Sequence, residues 1–315
     1  MPVGENVYHE PVLLEEAVSC LNCRSGGVYV DGTVGGGGHA ALILEKSAPD
    51  GFLLGLDVDI DALQAAEKRL TLFGQRKKLV KANYADLSEV LAEHKISQVD
   101  GILLDLGVSS HQLDTAERGF SFSQEALLDM RMDPESGQSA YDVVNTCSER
   151  ELKAIIRQYG EEIMAGRIVR AIAAKRKDAP IRTTTELAAI VAGALPRSFR
   201  HGKIHPATRT FQALRIYVNN ELANLYRAIH SGTDCLKAGG RFAVISFHSL
   251  EDGIVKNVFR SLEKGCICPS DMPFCTCGQK PRLKVMTRKP ILPSEKEIEA
   301  NPRSRSARLR TAERI

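Results

Sequence analysis

The chain contains no hydrophobic run that approaches the roughly 20 residues needed to cross a membrane as a helix. Its first residues, MPVGENVYHEP, lack the basic and then apolar pattern of a secretory signal peptide. Internal repeats are also lacking, and the one biased tract is the Arg/Ser-rich end from Asn301 to Arg314. We therefore expect a cytoplasmic protein with no membrane partner.

The composition is otherwise ordinary. The chain has 315 residues, 43% hydrophobic and 26% charged, which fits one large or two ordinary globular domains. It contains eight cysteines. In a reducing compartment we expect them to be thiols or metal ligands and not disulfides.

Charge is distributed unevenly, although the formal net charge is only +3. Residues 150–210 hold 13 Lys/Arg and 5 Asp/Glu, a net charge of +8. Residues 280–315 hold 11 Lys/Arg and 4 Asp/Glu, a net charge of +7. Two basic segments on an otherwise acidic chain indicate a polyanionic partner such as nucleic acid. The alternative is that both are solvated helix faces.

A glycine cluster follows a short β-rich run near the N-terminus. Val28–Val30 lead to Asp31, and Gly35–Gly38 come before a helix-forming stretch. This order predicts a strand, a tight turn and a helix N-terminus, where backbone N–H groups can approach a nucleotide-like ligand. A second apolar run ends in Asp57, 22 residues after Gly35, which is the position of an acid that binds a ribose. A flexible surface loop is the alternative.

The acids beside this turn favour one cofactor. Asp31 would repel a phosphate group at the turn. Together Asp31 and Asp57 favour S-adenosylmethionine, which carries a sulfonium, an ammonium and a ribose diol but no phosphate. An NAD-linked oxidoreductase is the first rival hypothesis, but the chain shows no evident His/Lys pair for hydride transfer. A non-catalytic RNA-binding or assembly factor is the second.

Strand-like and helical patterns alternate in the first third of the chain, which predicts an α/β fold with a doubly wound, mostly parallel sheet. The predicted strands are Val28–Val30, Phe52–Leu56, Lys78–Ala82, Gly101–Leu104 and Arg241–Phe247. A Gly-Gly turn at 239–240 launches the last strand, and a crossover helix is expected over 215–236.

The stretch before that crossover is too long for a loop and predicts a separate helical domain. Its expected helices are Glu149–Tyr159, Ile163–Lys177 and Thr185–Leu195. We therefore divide the chain into a first core part (1–112), an inserted substrate-recognition domain (113–213) and a second core part with the basic C-terminal segment (214–315).

Three polar stretches are candidates for chemistry. Asp105 ends a buried strand, so it should lie at the sheet edge where ligands bind, and its carboxylate can accept N–H bonds from an exocyclic amine. Capping the next element is the alternative role. His248 follows the last strand at the same edge, although a lone histidine is often only hydrogen-bonded. His205–Gln212 could hold phosphate or base, or form a turn with Thr208 as helix N-cap.

Two cysteine patterns differ in meaning. Four cysteines form C-x-C-x6-C-x-C, namely Cys266, Cys268, Cys275 and Cys277. Four thiols could build a tetrahedral zinc site, but C-x-C is a less usual spacing than C-x-x-C, so metal binding stays open beside reduced thiols. Cys20 and Cys23 have C-x-x-C spacing without a second pair, which favours plain packing.

Six motifs together resemble the ribosomal RNA small subunit methyltransferase H family, in the order VDGTVGGGGH, LLDLGVSS, ERGFSF, LDMRMDP, HPATRTFQALRI and ISFHSLED. The resemblance extends from His9 to Asn301–Arg305. It implies a class I methyltransferase core with an inserted helical domain. It also implies S-adenosylmethionine-dependent methylation of the exocyclic amine of one cytidine in the decoding region of bacterial 16S rRNA. The implied partner is small-subunit rRNA within a 30S particle, with a homodimer left open.

The resemblance also implies individual roles. The cofactor-binding residues would be Gly37, Gly38, His39, Asp57, Tyr84, Asp105 and Gln112. Asp57 would hold the ribose and Tyr84 would lie near the adenine. Asp105 would also be the catalytic residue. No aromatic residue follows Asp105 directly, so the target base must be stacked from elsewhere in the chain, and Phe120 and Phe122 are the candidates.

Overall fold

The computed structural model describes residues 11–196, 205–266, 268, 274 and 276–315. The chain forms two compact units, one of Met1–Gly107 with Leu222–Ile315 and one of Val108–Glu221. The three-part division by function given above stays a prediction. None of the helices in the described part is both long and apolar enough to cross a membrane.

The first unit contains one seven-stranded sheet. Its strands are β1 (Val28–Asp31), β2 (Phe52–Asp57), β3 (Lys77–Lys81), β4 (Val99–Asp105), β5 (Leu236–Ser246), β6 (Leu283–Val285) and β7 (Arg308–Arg314). They are ordered β3-β2-β1-β4-β5-β7-β6. The strands from β1 to β5 run parallel, and β7 is antiparallel to both of its neighbours.

The helices surround this sheet or form the second unit. In chain order they are α1 (Leu14–Leu21), α2 (Gly38–Lys46), α3 (Ile60–Arg69), α4 (Leu87–Glu93), α5 (Ser110–Asp114), α6 (Ala140–Thr146), α7 (Glu149–Tyr159), α8 (Ala165–Asp178), α9 (Thr184–Ala194), α10 (Thr208–Val218), α11 (Glu221–Cys235), α12 (Ser249–Lys264) and α13 (Glu295–Ala300). Short 3-10 turns lie at Thr71–Arg76, Tyr84–Asp86, Ala116–Arg118 and Pro302–Ser306.

The central strands bury both of their faces. Leu103 and Ile245 pack in one apolar core, whereas their neighbours Leu104 and Val244 pack in a second core. Successive side chains of a strand point to opposite faces, so apolar layers cover the sheet on both sides. This arrangement confirms the predicted doubly wound α/β fold, and the strand order places it with the class I methyltransferase cores that the resemblance implied.

The predicted strands match β1 to β4 to within two residues at each end. The last predicted strand starts too late, because β5 begins at Leu236 and not at Arg241. Its pairing with β4 shifts register there, and Gly239 has a φ of +79°. The predicted Gly-Gly turn is therefore a bulge within a longer strand.

The strand β7 near the C-terminus was not predicted. The Arg/Ser-rich end is not a free basic tail, because its last part is β7, which lies between β5 and β6. Leu309 and Ala312 of β7 are fully buried. Arg310 is also buried, and its Nε donates to Asp252 Oδ1 at 2.6 Å. Because Asp252 neutralises the charge of Arg310, this arginine can be buried in a strand. The arginine-rich sequence alone therefore does not indicate that strand.

The expected crossover helix over 215–236 was also wrong. Two helices, α10 and α11, occupy the region, and the helical conformation is interrupted between them at Asn219 and Asn220. Asn220 has a φ of +52°, a left-handed conformation that asparagine tolerates better than most residues.

The second unit is helical, as expected for an insert. Its helix α7 has the predicted bounds, and a capping box opens it: Ser148 Oγ accepts from Glu151 N, and the Glu151 carboxylate accepts from Ser148 N. Helices α6 to α10 enclose an apolar core of their own, which includes Ile156, Ile168 and Leu214. This core lets the unit pack independently of the sheet.

Candidate active site at the carboxyl edge of the sheet

Three aspartates end three adjacent parallel strands. Asp31 is the last residue of β1, Asp57 of β2 and Asp105 of β4, and the sheet order places β1 between the other two. Parallel strands that end at one edge open a crevice there, which is where open α/β sheets bind ligands. The fold therefore collects a cluster of carboxylates at its ligand-binding edge.

The glycine turn joins β1 to α2 above these carboxylates. Gly37 has a φ of +78°, and a Cβ at this position would lie 3.3 Å from the Cα of Ala66. A Cβ on Gly38 would lie 2.8 Å from Pro11 Cγ. Both positions thus require glycine for packing, and the resulting turn starts α2 with backbone N–H groups available to a ligand. Packing alone is sufficient reason for these glycines, so their predicted contact with the cofactor stays a prediction.

Asp57 ties the turn to the end of β2. Its Oδ2 accepts from Gly35 N at 2.9 Å, and its Oδ1 accepts from Asp59 N at 3.0 Å. Burial raises the pKa of Asp57 to about 6, against the lowering effect of these two backbone donors. The carboxylate is held in place and retains lone pairs for further donors, such as the hydroxyls of a ribose.

Asp31 is almost fully buried, with 1% of its surface exposed. Its Oδ1 accepts from Thr33 N at 3.2 Å, whereas its Oδ2 has no hydrogen-bond partner among the described residues. Burial raises the pKa of Asp31 to about 7, and the negative charge of Asp57 contributes in the same direction. A buried carboxyl oxygen without a partner is costly, and a bound cation or donor would relieve that cost.

The backbone of Asp105 is tied to the loop that follows β1. Its N–H donates to Thr33 Oγ1 at 2.6 Å, and its Oδ1 has no hydrogen-bond partner within the described part of the chain. Burial raises the pKa of Asp105 well above its usual value, and the charges of Asp31 and Glu251 add to the shift. This site therefore favours either a proton on Asp105 or a positively charged neighbour.

His39 lies against the same carboxyl group. Its Nε2 is 3.1 Å from the carbonyl oxygen of Val12, and its Nδ1 is 3.8 Å from Asp105 Oδ2. A carbonyl oxygen can only accept, so Nε2 carries a proton, and in the neutral ring Nδ1 presents a lone pair towards Asp105. The structure thus brings the predicted residues His39 and Asp105 together.

Tyr84 borders Gly32, the glycine that directly follows β1. It opens the 3-10 turn after β3, and a Cβ added to Gly32 would lie 3.1 Å from Tyr84 Cβ. This places the start of the Tyr84 side chain beside the crevice wall, and its predicted contact with an adenine stays a prediction.

Gln112 belongs to the second unit and has a capping role there. Its Oε1 accepts from Ser109 N at 3.0 Å, and Ser109 Oγ accepts from Gln112 N at 3.1 Å. This reciprocal pair opens α5. The predicted cofactor contact of Gln112 stays a prediction.

Two residues after β5 form a capping box at the start of α12. His248 is the N-cap of α12, and its Nδ1 accepts from Glu251 N at 3.4 Å, so the structure gives it a capping role. Glu251 is only 2% exposed, and its charge acts on Asp105. Sequence reasoning missed Glu251, although the spacing of a cap residue and a glutamate three positions later signals a capping box.

The aromatic candidates lie in the second unit. Phe120 is 8% exposed and packs in the helical core, so its ring offers little face to a base. The Phe122 ring is only partly buried, with its centroid 4.6 Å from that of His205 and 4.8 Å from that of Phe211. Thr208 is not an N-cap as its alternative role required, because Ala207 takes that position.

The carboxyl groups at this edge of the sheet suit a ligand that carries a positive charge and hydroxyl groups. Asp31 and Asp105 each present a buried carboxyl oxygen without a partner in the described residues, and Asp57 is fixed beside the turn. A phosphate group would meet like charge here. A sulfonium or ammonium would replace that repulsion with attraction, and a ribose diol would donate to Asp57.

Comparison with known proteins agrees with this chemistry. The model of the MraW methylase family matches residues 6–315. A protein of Syntrophus aciditrophicus named ribosomal RNA small subunit methyltransferase H is 80% identical over 315 residues, covering 100% of both chains. One of the same name from Geotalea uraniireducens is 56% identical over 308 residues, covering 98% of this chain and 99% of its own. Among solved structures, an rRNA methylase from Streptococcus thermophilus aligns over 96% of this chain and 93% of its own, with 12% identity and a TM-score of 0.41.

Proposed function

This chain belongs to the MraW methylase family, and we propose that it methylates the exocyclic amine of one cytidine in the decoding region of small-subunit rRNA. Its cofactor is S-adenosylmethionine, which when bound supplies a methyl group on a positively charged sulfur. One observation carries the proposal: three aspartates end adjacent strands beside a glycine turn, and two of them present buried oxygens without partners in the described residues.

The cofactor site uses the turn and its acids. Asp57 accepts from the ribose hydroxyls while it retains Gly35 N as a second donor. Asp31 lies between the strands of Asp57 and Asp105, and its ionised form neutralises positive charge on the ligand. Gly37 and Gly38 keep the turn compact, His39 follows it in the first turn of α2, and the Tyr84 side chain begins beside Gly32.

Asp105 acts on the amine of the target base. The lone pair of an exocyclic amine is conjugated into the ring, so the nitrogen is a weak nucleophile. A carboxylate that accepts its N–H bonds favours the pyramidal form, whose lone pair is available. After the methyl group has been transferred, the nitrogen must lose a proton. Because burial raises the pKa of Asp105 well above its usual value, its carboxylate is a suitable acceptor.

The RNA is held by basic side chains of the helical unit. A Cβ on Gly166 would lie 3.6 Å from Lys153 Cε and 4.0 Å from Arg170 Nη1, so these two cationic side chains approach one another over α8. Both residues are exposed. Close cations of this kind attract phosphate groups, which fix the position of an RNA without reading its sequence.

The target base is unstacked before it can reach the carboxyl edge, as enzymes that act on a base require. The pair of Phe122 and His205, whose ring centroids are 4.6 Å apart, offers an aromatic face for a neighbouring nucleotide. We also propose that the substrate is a 30S particle, that the protein is cytoplasmic and that it can form a homodimer.

The test uses purified full-length protein and small ribosomal subunits from a strain that lacks this methylation. With S-adenosylmethionine present, mass analysis of nuclease fragments should find one added methyl group on one cytidine of the decoding region. Naked rRNA and large subunits serve as comparison substrates. Methylation of a different base, or none on either rRNA substrate by a protein that binds the cofactor, would contradict the proposal.

A further inference from the structure

The end of α12 and the start of β6 are joined by their backbones. Arg282 N donates to the Leu262 carbonyl at 2.8 Å. Gly265 has a φ of +69°, and a Cβ there would lie 2.3 Å from Pro281 N, so only glycine allows this approach. Each of the two joined segments carries a C-x-C motif. The fold therefore brings together cysteines that are about ten residues apart in the sequence.

Three thiols converge at this junction. The Sγ atoms of Cys266, Cys268 and Cys277 all lie within 4.8 Å of one another. The Sγ atoms of Cys266 and Cys277 are 3.8 Å apart. In a tetrahedral site with Zn–S bonds of about 2.3 Å, neighbouring sulfur atoms are about 3.8 Å apart, whereas a disulfide bond is about 2.05 Å long. A distance of 3.8 Å excludes a disulfide bond and is compatible with two sulfurs that share an ion as well as with a thiol–thiol contact.

The backbone also favours the form of sulfur that binds metals. Thr276 N donates to Cys268 Sγ at 3.4 Å, so a backbone donor faces this sulfur. A thiolate is the metal-binding form of cysteine. The C-x-x-C pair at the other end of the chain differs, because burial raises the pKa of Cys23 to about 12 and both thiols pack against the apolar core.

We propose that Cys266, Cys268 and Cys277 bind one zinc ion, which fixes the junction between α12 and β6. Thiolates are soft ligands and select Zn²⁺ over the hard cations Mg²⁺ and Ca²⁺. Cys275 completes the C-x-C-x6-C-x-C pattern but lies outside the described residues. The proposed zinc is structural and independent of the methyl-transfer site, so the two proposals can fail separately.

The first experiment measures metal in the full-length protein, purified without added metal or chelator. We expect about one zinc per chain by plasma mass spectrometry. The double variant Cys266→Ser/Cys277→Ser should lose it. The matched control Cys147→Ser/Cys235→Ser changes two partly buried cysteines outside the junction and should keep it.

A second measurement covers the case in which the double variant fails to fold. The folded wild-type protein is stripped of metal with a chelator, reduced, and titrated with Co²⁺. We expect one equivalent to produce tetrahedral d–d bands and a thiolate-to-cobalt charge-transfer band, which added Zn²⁺ abolishes. Hydrogen exchange in residues 265–282 should be faster in the stripped protein and slow again with zinc. A native protein without zinc whose reduced form gives no thiolate–cobalt band would overturn the proposal, and so would iron in place of zinc or a Cys266–Cys277 disulfide in the protein as isolated.

Discussion

His39 Nδ1 lies 3.8 Å from Asp105 Oδ2, and the Val12 carbonyl fixes the other side of the same ring. The first turn of α2 is thereby coupled to the end of β4. With the Nε2 proton directed at Val12, Nδ1 faces the carboxyl group either as the lone pair of a neutral ring or as the second N–H of a charged ring. The first turn of α2 therefore contributes to the electrostatic environment of Asp105.

Replacing Asp105 with Asn should keep the fold and remove most of the turnover. The amide loses the anionic acceptor for the amine, and loss of one preorganised polar group typically lowers the rate by about 10²–10³-fold. Single-turnover methyl transfer at saturating cofactor measures the effect, with circular dichroism as a check on folding. A rate near that of the wild type would mean that Asp105 is structural.

The affinity for S-adenosylmethionine should rise between about pH 5 and pH 8. Burial raises the pKa of Asp31 to about 7 and that of Asp57 to about 6, so the anionic forms that attract a cation appear over this range. The demethylated product lacks the sulfonium charge, so its affinity should rise less. Calorimetry at several pH values tests both arms, and a flat profile for the sulfonium ligand would contradict the electrostatic role.

Asp31→Asn should raise the stability of the folded protein at high pH and lower its affinity for the cofactor. The folded pKa of Asp31, about 7, lies above its ordinary value of 3.8, so the folded state binds more protons and stability falls as pH rises from about 4 to about 7. A shift of this size corresponds to about 4 kcal/mol at pH 8. Without ligand, the variant should therefore be more stable than the wild type at pH 8, and the difference should vanish near pH 4. It should bind the cofactor more weakly, and thermal melts with and without cofactor measure both effects.

Asp57→Ala should weaken cofactor binding by about 1.5–3 kcal/mol, the scale for hydrogen bonds to a charged group. Asp59→Ala is a suitable comparison, since Asp59 caps α3 and donates its N–H to Asp57. Unchanged cofactor affinity in Asp57→Ala, measured by calorimetry, would rule out its ribose contact.

Neutralising Lys153 and Arg170 together should raise the dissociation constant for an rRNA fragment and flatten its salt dependence. Each lost phosphate contact lowers the slope of log K against log salt by about 0.7 for a single strand. Lys175→Gln/Lys177→Gln removes the same charge from the last turn of α8 and serves as the control. Equal effects of the two double variants would indicate a diffuse charge and not a specific patch.

A test of RNA binding by the C-terminal segment should change only some of its arginines. Arg308 Nη1 donates to Asp252 Oδ2 at 3.1 Å, so its charge is already partnered. Arg303 and Arg305 are exposed in the turn before β7. Their joint change to Gln should weaken RNA binding and leave cofactor affinity unchanged. Fluorescence anisotropy across a salt series measures the salt dependence of RNA binding. An unchanged salt dependence in the double variant would mean that this segment is solvated and does not contact RNA.

The sequence predicts β1, β2 and β4 because each is an apolar run that ends in an aspartate, and it predicts β3 from the short apolar pair Leu79 and Val80 between lysines. It also predicts the carboxylates at their ends, since Asp57 and Asp105 close runs such as VDGILLD. These are local signals. The sheet edge then follows from topology alone.

The remaining features depend on contacts between residues far apart in the chain. Strand β7 contains three arginines among its seven residues, and its Arg310 can be buried only because Asp252 of another element pairs with it. Glu251 acts on Asp105 only after β4 and β5 have paired. The carbonyl of Val12 gives His39 its tautomer, and no spacing in the sequence signals that hydrogen bond.

Strand β7 lies inside the sheet, and among the described strands β6 pairs only with β7. A variant from which β7 has been deleted would therefore lose β6 from the sheet, expose the edge of β5 and leave the buried Asp252 without Arg310. An open edge of this kind can pair with a strand of another chain, so we expect such a variant to aggregate and not simply to lack a basic segment.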